Sequence, residues 1–200
     1  DKKKKYKITL KLFLDTTKRK NSNDITLYTE SKIYERIDKL MGNNYHVVDF
    51  IQRGMCDYNE YINSLYLSDI KDKNSIERSL NRITDKYTKT KYIYYTAYKY
   101  VNGKPLNDII YDMNDIEISK ILFSIIHTLL EFQKNYIMHN DLHIGNILVK
   151  ETDKKRIYKY KVNNYSKEYK YSFSSSKCPI IYDFDHATII KGSKNNIYNP

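Results

Sequence analysis

Two polar clusters carry the side chains best suited to chemistry. The first is His139-Asn140-Asp141-Leu142-His143-Ile144-Gly145-Asn146, directly after a long stretch of helical periodicity. It sets a carboxylate, Asp141, five residues before an amide, Asn146. Phosphoryl transfer uses such a pair: a carboxylate aims the acceptor hydroxyl in line, and an amide oxygen helps to hold a metal. Five residues let one loop present both groups to a cleft. The second cluster is Ile180-Ile181-Tyr182-Asp183-Phe184-Asp185. A short apolar strand delivers Asp183, with a second carboxylate, Asp185, just beyond Phe184.

Several elements must position these groups. Tyr6 to Leu14 alternates and is rich in strand formers, which predicts a strand bearing Lys11. Lys18 to Asn23 is a polar loop, and Asp24 is placed to cap a helix through Met41, with Gly42 as its stop. Ile33, Ile37 and Leu40 share one face of that helix, whereas Glu35 falls near the opposite side. Tyr45 to Met55 reads as a strand, and Tyr58 to Lys91 as a polar insertion with helical patches. Lys91 to Val101 is a β-run ended by Asn102-Gly103. Asn114 or Asp115 caps the clearest helix, which ends near Asn135. Its expected core face is Ile118, Ile121, Leu122, Ile125, Ile126 and Leu129, with His127 as a packing residue. Ile147 to Val149 is a short strand, Arg156 to Phe173 a hairpin turning at Asn163-Asn164, and Pro179 to Phe184 another strand.

Composition bounds the class. Hydrophobic residues make up 40% of 200, enough for a core and too many for a disordered tail. No run approaches the length of a membrane span. After Lys2 to Lys5 no apolar stretch follows that could serve as a signal peptide. Cys56 and Cys178 lie far apart without metal spacing, which fits free thiols in a reducing compartment. The net charge of +11 is scattered among Tyr and Asn, a bias typical of AT-rich genomes. Nucleic acid is therefore only a minor partner class.

The loop fits H-x-D-x-x-x-x-N and resembles the catalytic loop of protein kinases, while Asp183-Phe184-Asp185 resembles their D-F-G element. Four pieces occur in kinase order, from Tyr6 to Thr188. The resemblance implies an α+β, two-lobed fold, with 1–101 as the N-lobe and 102–200 as part of the C-lobe. It implies ATP with Mg2+ or Mn2+. Lys11 would bind the α- and β-phosphates, and Glu30, at the helix-C position, would orient it. Tyr98 would be the gatekeeper, with the backbones of Lys99 and Val101 meeting adenine. Asp141 would orient the substrate hydroxyl, and Asn146 and Asp183 would hold the metal. His143 stands where serine/threonine kinases carry lysine, beside the transferred phosphate. His139 would brace the loop.

The D-L-H-x-G-N form and the tyrosine-rich ribbon after it resemble haspin-type kinases and those of large DNA viruses. That implies a serine/threonine protein kinase of a host cytoplasm, viral factory or virion. Small-molecule kinases share D-L-H-x-G-N, and a non-catalytic pseudokinase is the third alternative. Asn140 replaces the usual arginine, which argues against switching by a phosphorylated loop. No glycine-rich loop precedes Lys11, seventeen residues follow Asp183, and Asp185 replaces glycine. A fragment or a reduced kinase is therefore expected. Asp185 and His186 are expected to be solvated loop residues, and the ribbon a solvated surface.

Overall fold

In a computed structural model, residues 7–14, 25–41, 46–67, 74–75, 78, 92–164 and 167–190 are described. The expected cap Asp24, stop Gly42 and loop Lys18 to Asn23 lie outside these residues.

β1 (Ile8–Leu14), β2 (Phe50–Asp57) and β3 (Tyr92–Lys99) form an antiparallel sheet in the order β1-β3-β2. Lys11 pairs with Thr96 and Thr9 with Tyr98, so the two-residue period puts Lys11 and Tyr98 on one face. Helix α1 (Ile25–Met41) covers the sheet. Its buried residues Glu30, Ile33, Tyr34 and Ile37 recur at helical spacing. Leu40, expected on this face, is exposed at the last turn. β2 begins later than the strand expected from Tyr45. Before it, Val47 bridges Ile181, with Ile181 N–H donating to the His46 carbonyl at 2.8 Å and Val48 N–H to the Ile181 carbonyl at 3.2 Å. This clamp ties the first sheet to the strand that delivers Asp183. α2 (Tyr58–Leu67) opens the polar insertion.

β4 (Gly103–Pro105), α3 (Leu106–Ile109) and a 3-10 turn (Ile110–Asp112) lead to α4 (Asp115–Lys134). Asn114 caps α4 in a full capping box with Glu117. The core stripe differs from the expected one. Leu122 and Ile126 are 48% and 56% exposed, whereas Ser124 and Thr128 are buried beside Ile121, Ile125 and Phe132. The reason is local: Ser124 Oγ donates to the Lys120 carbonyl at 2.8 Å and Thr128 Oγ1 to the Ser124 carbonyl at 2.9 Å. Both hydroxyls are satisfied by their own helix and can face the core. β5 (Ile137–Met138) pairs with β8 (Thr188–Ile189).

The expected short strands and hairpin are one long ribbon, β6 (Ile147–Asn164) against β7 (Lys167–Ile181), with β4 on its edge. Asn164 pairs with Lys167, so the chain reverses beyond Asn163-Asn164 rather than at it. Aromatic cross-strand pairs, Tyr158 with Phe173 and Tyr160 with Tyr171, fix the register over the local turn preference of Asn-Asn. The ribbon is not simply solvated. Tyr158 and Tyr160 are buried, and Phe123 of α4 packs against Tyr160, Tyr171 and Phe173. His46 donates from Nδ1 to the Pro179 carbonyl at 2.9 Å, and its Nε2 lies 3.0 Å from the Tyr160 hydroxyl, which also meets Ser124 Oγ at 2.7 Å. Neither Cys56 nor Cys178 forms a disulfide.

Candidate active site

Four charged side chains from β1, α1 and the end of β7 meet at one point. The Lys11 ammonium lies 3.3 Å from Glu30 Oε1, 2.6 Å from Asp183 Oδ1 and 2.5 Å from Asp185 Oδ1. Tyr98 donates its hydroxyl to the same Glu30 oxygen at 3.1 Å. Glu30 is fully buried, and its Oε2 accepts no hydrogen bond. Glu35 points elsewhere, half exposed, with Arg53 at 3.5 Å. Asp185 differs from expectation: it is a half-buried partner of Lys11, not a solvated loop residue.

Phe184 explains why both aspartates turn toward Lys11. Its fully buried ring lies 4.6 Å from His139, 4.9 Å from Tyr34 and 5.6 Å from Phe132. The residue between the two carboxylates is thereby fixed in the core. Asp183 itself adopts a left-handed backbone, φ 63°, which ends the strand abruptly. His139 Nε2 donates to the Tyr182 carbonyl at 3.0 Å, while its buried Nδ1 has no partner. Burial holds His139 below its ordinary pKa, so the ring braces the segment as a neutral donor. His186 is exposed, as expected.

The electrostatics follow from burial. Burial, with the Asp185 carboxylate beside it, pushes Glu30 up to about 7 against the pull of Lys11. Burial alone would raise Asp185, but the hydrogen bond and charge of the Lys11 ammonium hold it below its ordinary value. Burial likewise opposes the charge on Lys11, yet Asp183, Asp185 and Glu30 together hold its pKa above the usual lysine value. Burial and the adjacent Glu30 raise Tyr98 well above a normal phenol.

The loop before β6 presents the second group. Asp141 is exposed, and the buried Asn146 donates from Nδ2 to its carbonyl at 3.0 Å and its Oδ2 at 3.4 Å. The Asn146 amide nitrogen is thus engaged with Asp141 rather than with the acidic cluster. His143 is exposed and accepts the Gly145 N–H at Nδ1, 3.1 Å away, which leaves its proton on Nε2. A Cβ on Gly145 would stand 2.8 Å from His143 Cε1, so this fold-back requires glycine. Tyr182 closes the loop from below, its hydroxyl donating to the Gly145 carbonyl at 2.7 Å. Asn140, left-handed at φ 61°, donates from Nδ2 to the His186 carbonyl at 2.9 Å and to Thr188 Oγ1 at 3.0 Å. A neutral amide thus ties the loop to the segment after Asp185.

The expected adenine edge follows β3. Lys99 N–H donates to the Asp49 carbonyl at 2.9 Å, and Gly103 N–H to the Val101 carbonyl at 3.0 Å. For a metal, one oxygen each from Glu30, Asp183 and Asp185 lie within 4.8 Å of one another. Three clustered carboxylates fit a hard divalent cation such as Mg2+ or Mn2+.

No family model matches this chain, and no curated protein matches it. Among solved structures, it is similar to the crystal structure of the kinase domain of PF14_0431, with a TM-score of 0.51 and 15% identity. The match covers 91% of this chain and 44% of that one, so the chain spans less than half the length of the neighbour. The likeness establishes a mixed α+β fold shared with a kinase domain. Among the described residues, no helix is long and apolar enough to cross a membrane.

Proposed function

We propose that this chain is the core of an ATP-dependent phosphotransferase, a serine/threonine protein kinase of haspin-like type with its site between two lobes, 1–101 and 102–200. One observation carries the reading. Lys11, Glu30 and Asp183, separated by up to 172 residues, converge in a single ion-pair cluster. Exposed surface lysines do not acquire a fully buried glutamate and an aspartate by chance of composition.

The residues then divide the work. Glu30, held by Tyr98, orients Lys11, whose ammonium passes from Asp183 and Asp185 to the nucleotide's α- and β-phosphates. The Lys99 carbonyl and the Val101 amide meet the adenine edge. Asp141 accepts a hydrogen bond from the acceptor hydroxyl and aims its oxygen at the γ-phosphorus. The new oxygen–phosphorus bond forms as the bond to the β-phosphate oxygen breaks, and the hydroxyl proton leaves toward Asp141. Asn146 fixes Asp141 by its amide nitrogen, and its amide oxygen with Asp183 would hold a divalent cation. Bound there, such a cation would supply charge neutralisation for the phosphates. His143 donates from Nε2 to the phosphoryl group in flight. Catalysis by these residues is positioning plus electrostatics.

The test offers γ-labelled ATP and magnesium with basic proteins, casein and small hydroxyl acceptors side by side, against Asp141→Asn. Transfer to serine or threonine that vanishes in the variant supports the reading. Transfer only to small acceptors moves the chain to small-molecule kinases. Failure to bind magnesium-ATP makes it a binding module.

A further inference from the structure

The carboxylate of Asp185 is surplus to the scheme above. In the D-F-G pattern the same position has no side chain. Here it adds a third acid to Glu30 and Asp183 around one ammonium. When all three are ionised the cluster carries a net charge of two minus, which a single divalent cation balances. With glycine at 185 the balance would be one minus.

A cluster of acids alone is no site, but Glu30 supplies a second observation. Its Oε1 accepts from both Lys11 and Tyr98, while Oε2, fully buried, accepts nothing. A buried carboxylate oxygen without a donor is costly, the more so when charged. The cheapest way to recover it is a cation shared with its neighbours. Oxygens on one octahedral cation lie about 3–4 Å apart. One oxygen from each of Glu30, Asp183 and Asp185 already lies within 4.8 Å of the others, so small side-chain rotations suffice.

We infer that Asp185, with Asp183 and the Glu30 carboxylate, forms a divalent-cation site that fills before and without nucleotide. Phosphate oxygens are then not needed to assemble the metal centre, and three protein carboxylates replace them. The bound cation displaces Lys11 from Asp183 and Asp185 and frees its ammonium for an anionic ligand. Only this last consequence rests on the phosphotransferase reading; cation binding itself does not.

The experiment titrates Mn2+ alone into the metal-stripped full chain and follows the EPR signal of free Mn2+. One ion per chain is expected. Asp185→Asn and Asp185→Gly should each weaken binding at least tenfold. Lys11→Met, which removes the competing ammonium and keeps all three acids, should bind at least as tightly as the unaltered chain. Circular dichroism checks each fold; should both Asp185 variants unfold, the Lys11→Met titration decides. Equal affinity in Asp185→Asn, no binding below millimolar Mn2+, or weaker binding in Lys11→Met would overturn the inference. A parallel titration with a fluorescent ATP analogue separates the two claims. Mn2+ binding without nucleotide binding sinks the phosphotransferase reading alone. Nucleotide binding with Mn2+ affinity indifferent to residue 185 sinks this one alone.

Discussion

Replacing Glu30 by glutamine should make the folded chain more stable while impairing nucleotide positioning. The unfolded chain releases the Glu30 proton near 4.5, whereas the folded chain keeps it to about 7. Between those values the native state holds a proton that the unfolded state has lost. Stability from this group is therefore complete below 4.5, falls as pH rises through the window, and is flat above 7. At ~1.36 kcal/mol per pH unit, the full cost of ionising Glu30 in place is about 3 kcal/mol. Its side chain is 1% exposed, so solvent screening does not dilute the figure. Glutamine keeps the shape and cannot ionise. The advantage of Glu30→Gln should therefore grow by about 2 kcal/mol between pH 5 and pH 8.5. Urea denaturation followed by circular dichroism measures it, with EDTA present so that no cation stabilises the carboxylate. A variant no more stable than the original at pH 8.5, or with the same advantage at both pH values, would refute the reasoning. The charge would then be neutralised inside the fold, and Lys11 alone would outweigh burial.

Four other outcomes follow from the same structure. Asp141→Asn is expected to lower phosphoryl transfer roughly 10²–10⁴-fold, yet leave the urea midpoint unchanged because Asp141 is exposed. Phe184→Ala empties a fully buried position between His139, Tyr34 and Phe132 and should cost about 3–5 kcal/mol by denaturation. Asn140→Ala loses two hydrogen bonds and must hold φ 61° without the asparagine amide, about 2 kcal/mol. Asn140→Gly, which tolerates that φ, should cost about 1 kcal/mol less. Asn114→Ala breaks the capping box of α4 and should cost about 1 kcal/mol in thermal unfolding.

The fold was legible where periodicity alone decides it. Strand β1, helices α1 and α4, and β3 all fall within a few residues of their sequence patterns, because one buried face repeats at 2 or 3.6 residues. What failed was pattern reading that weighed side chains by type. Ser124 and Thr128 scored as polar, yet their hydroxyls bond back to the helix and they bury in place of Leu122 and Ile126. The ribbon looked like three pieces because Glu151 to Arg156 is polar and carries a register shift. Its continuity depends on α4 packing against Tyr160, Tyr171 and Phe173, a contact no local window contains.

The site divides along a similar line. Asp141 and Asn146 share one loop, so their spacing was informative by itself, and the structure sets them in contact. Lys11, Glu30 and Asp183 lie far apart in sequence, and only a family pattern could suggest that they meet. That same pattern hid Asp185. A reading built on D-F-G has no role for a carboxylate at the glycine position and passes it to solvent. The buried Phe184 dictates otherwise: with residue 184 held in the core, its two neighbours must leave it toward the same open side, where Lys11 stands. The signal was present as two aspartates flanking one phenylalanine.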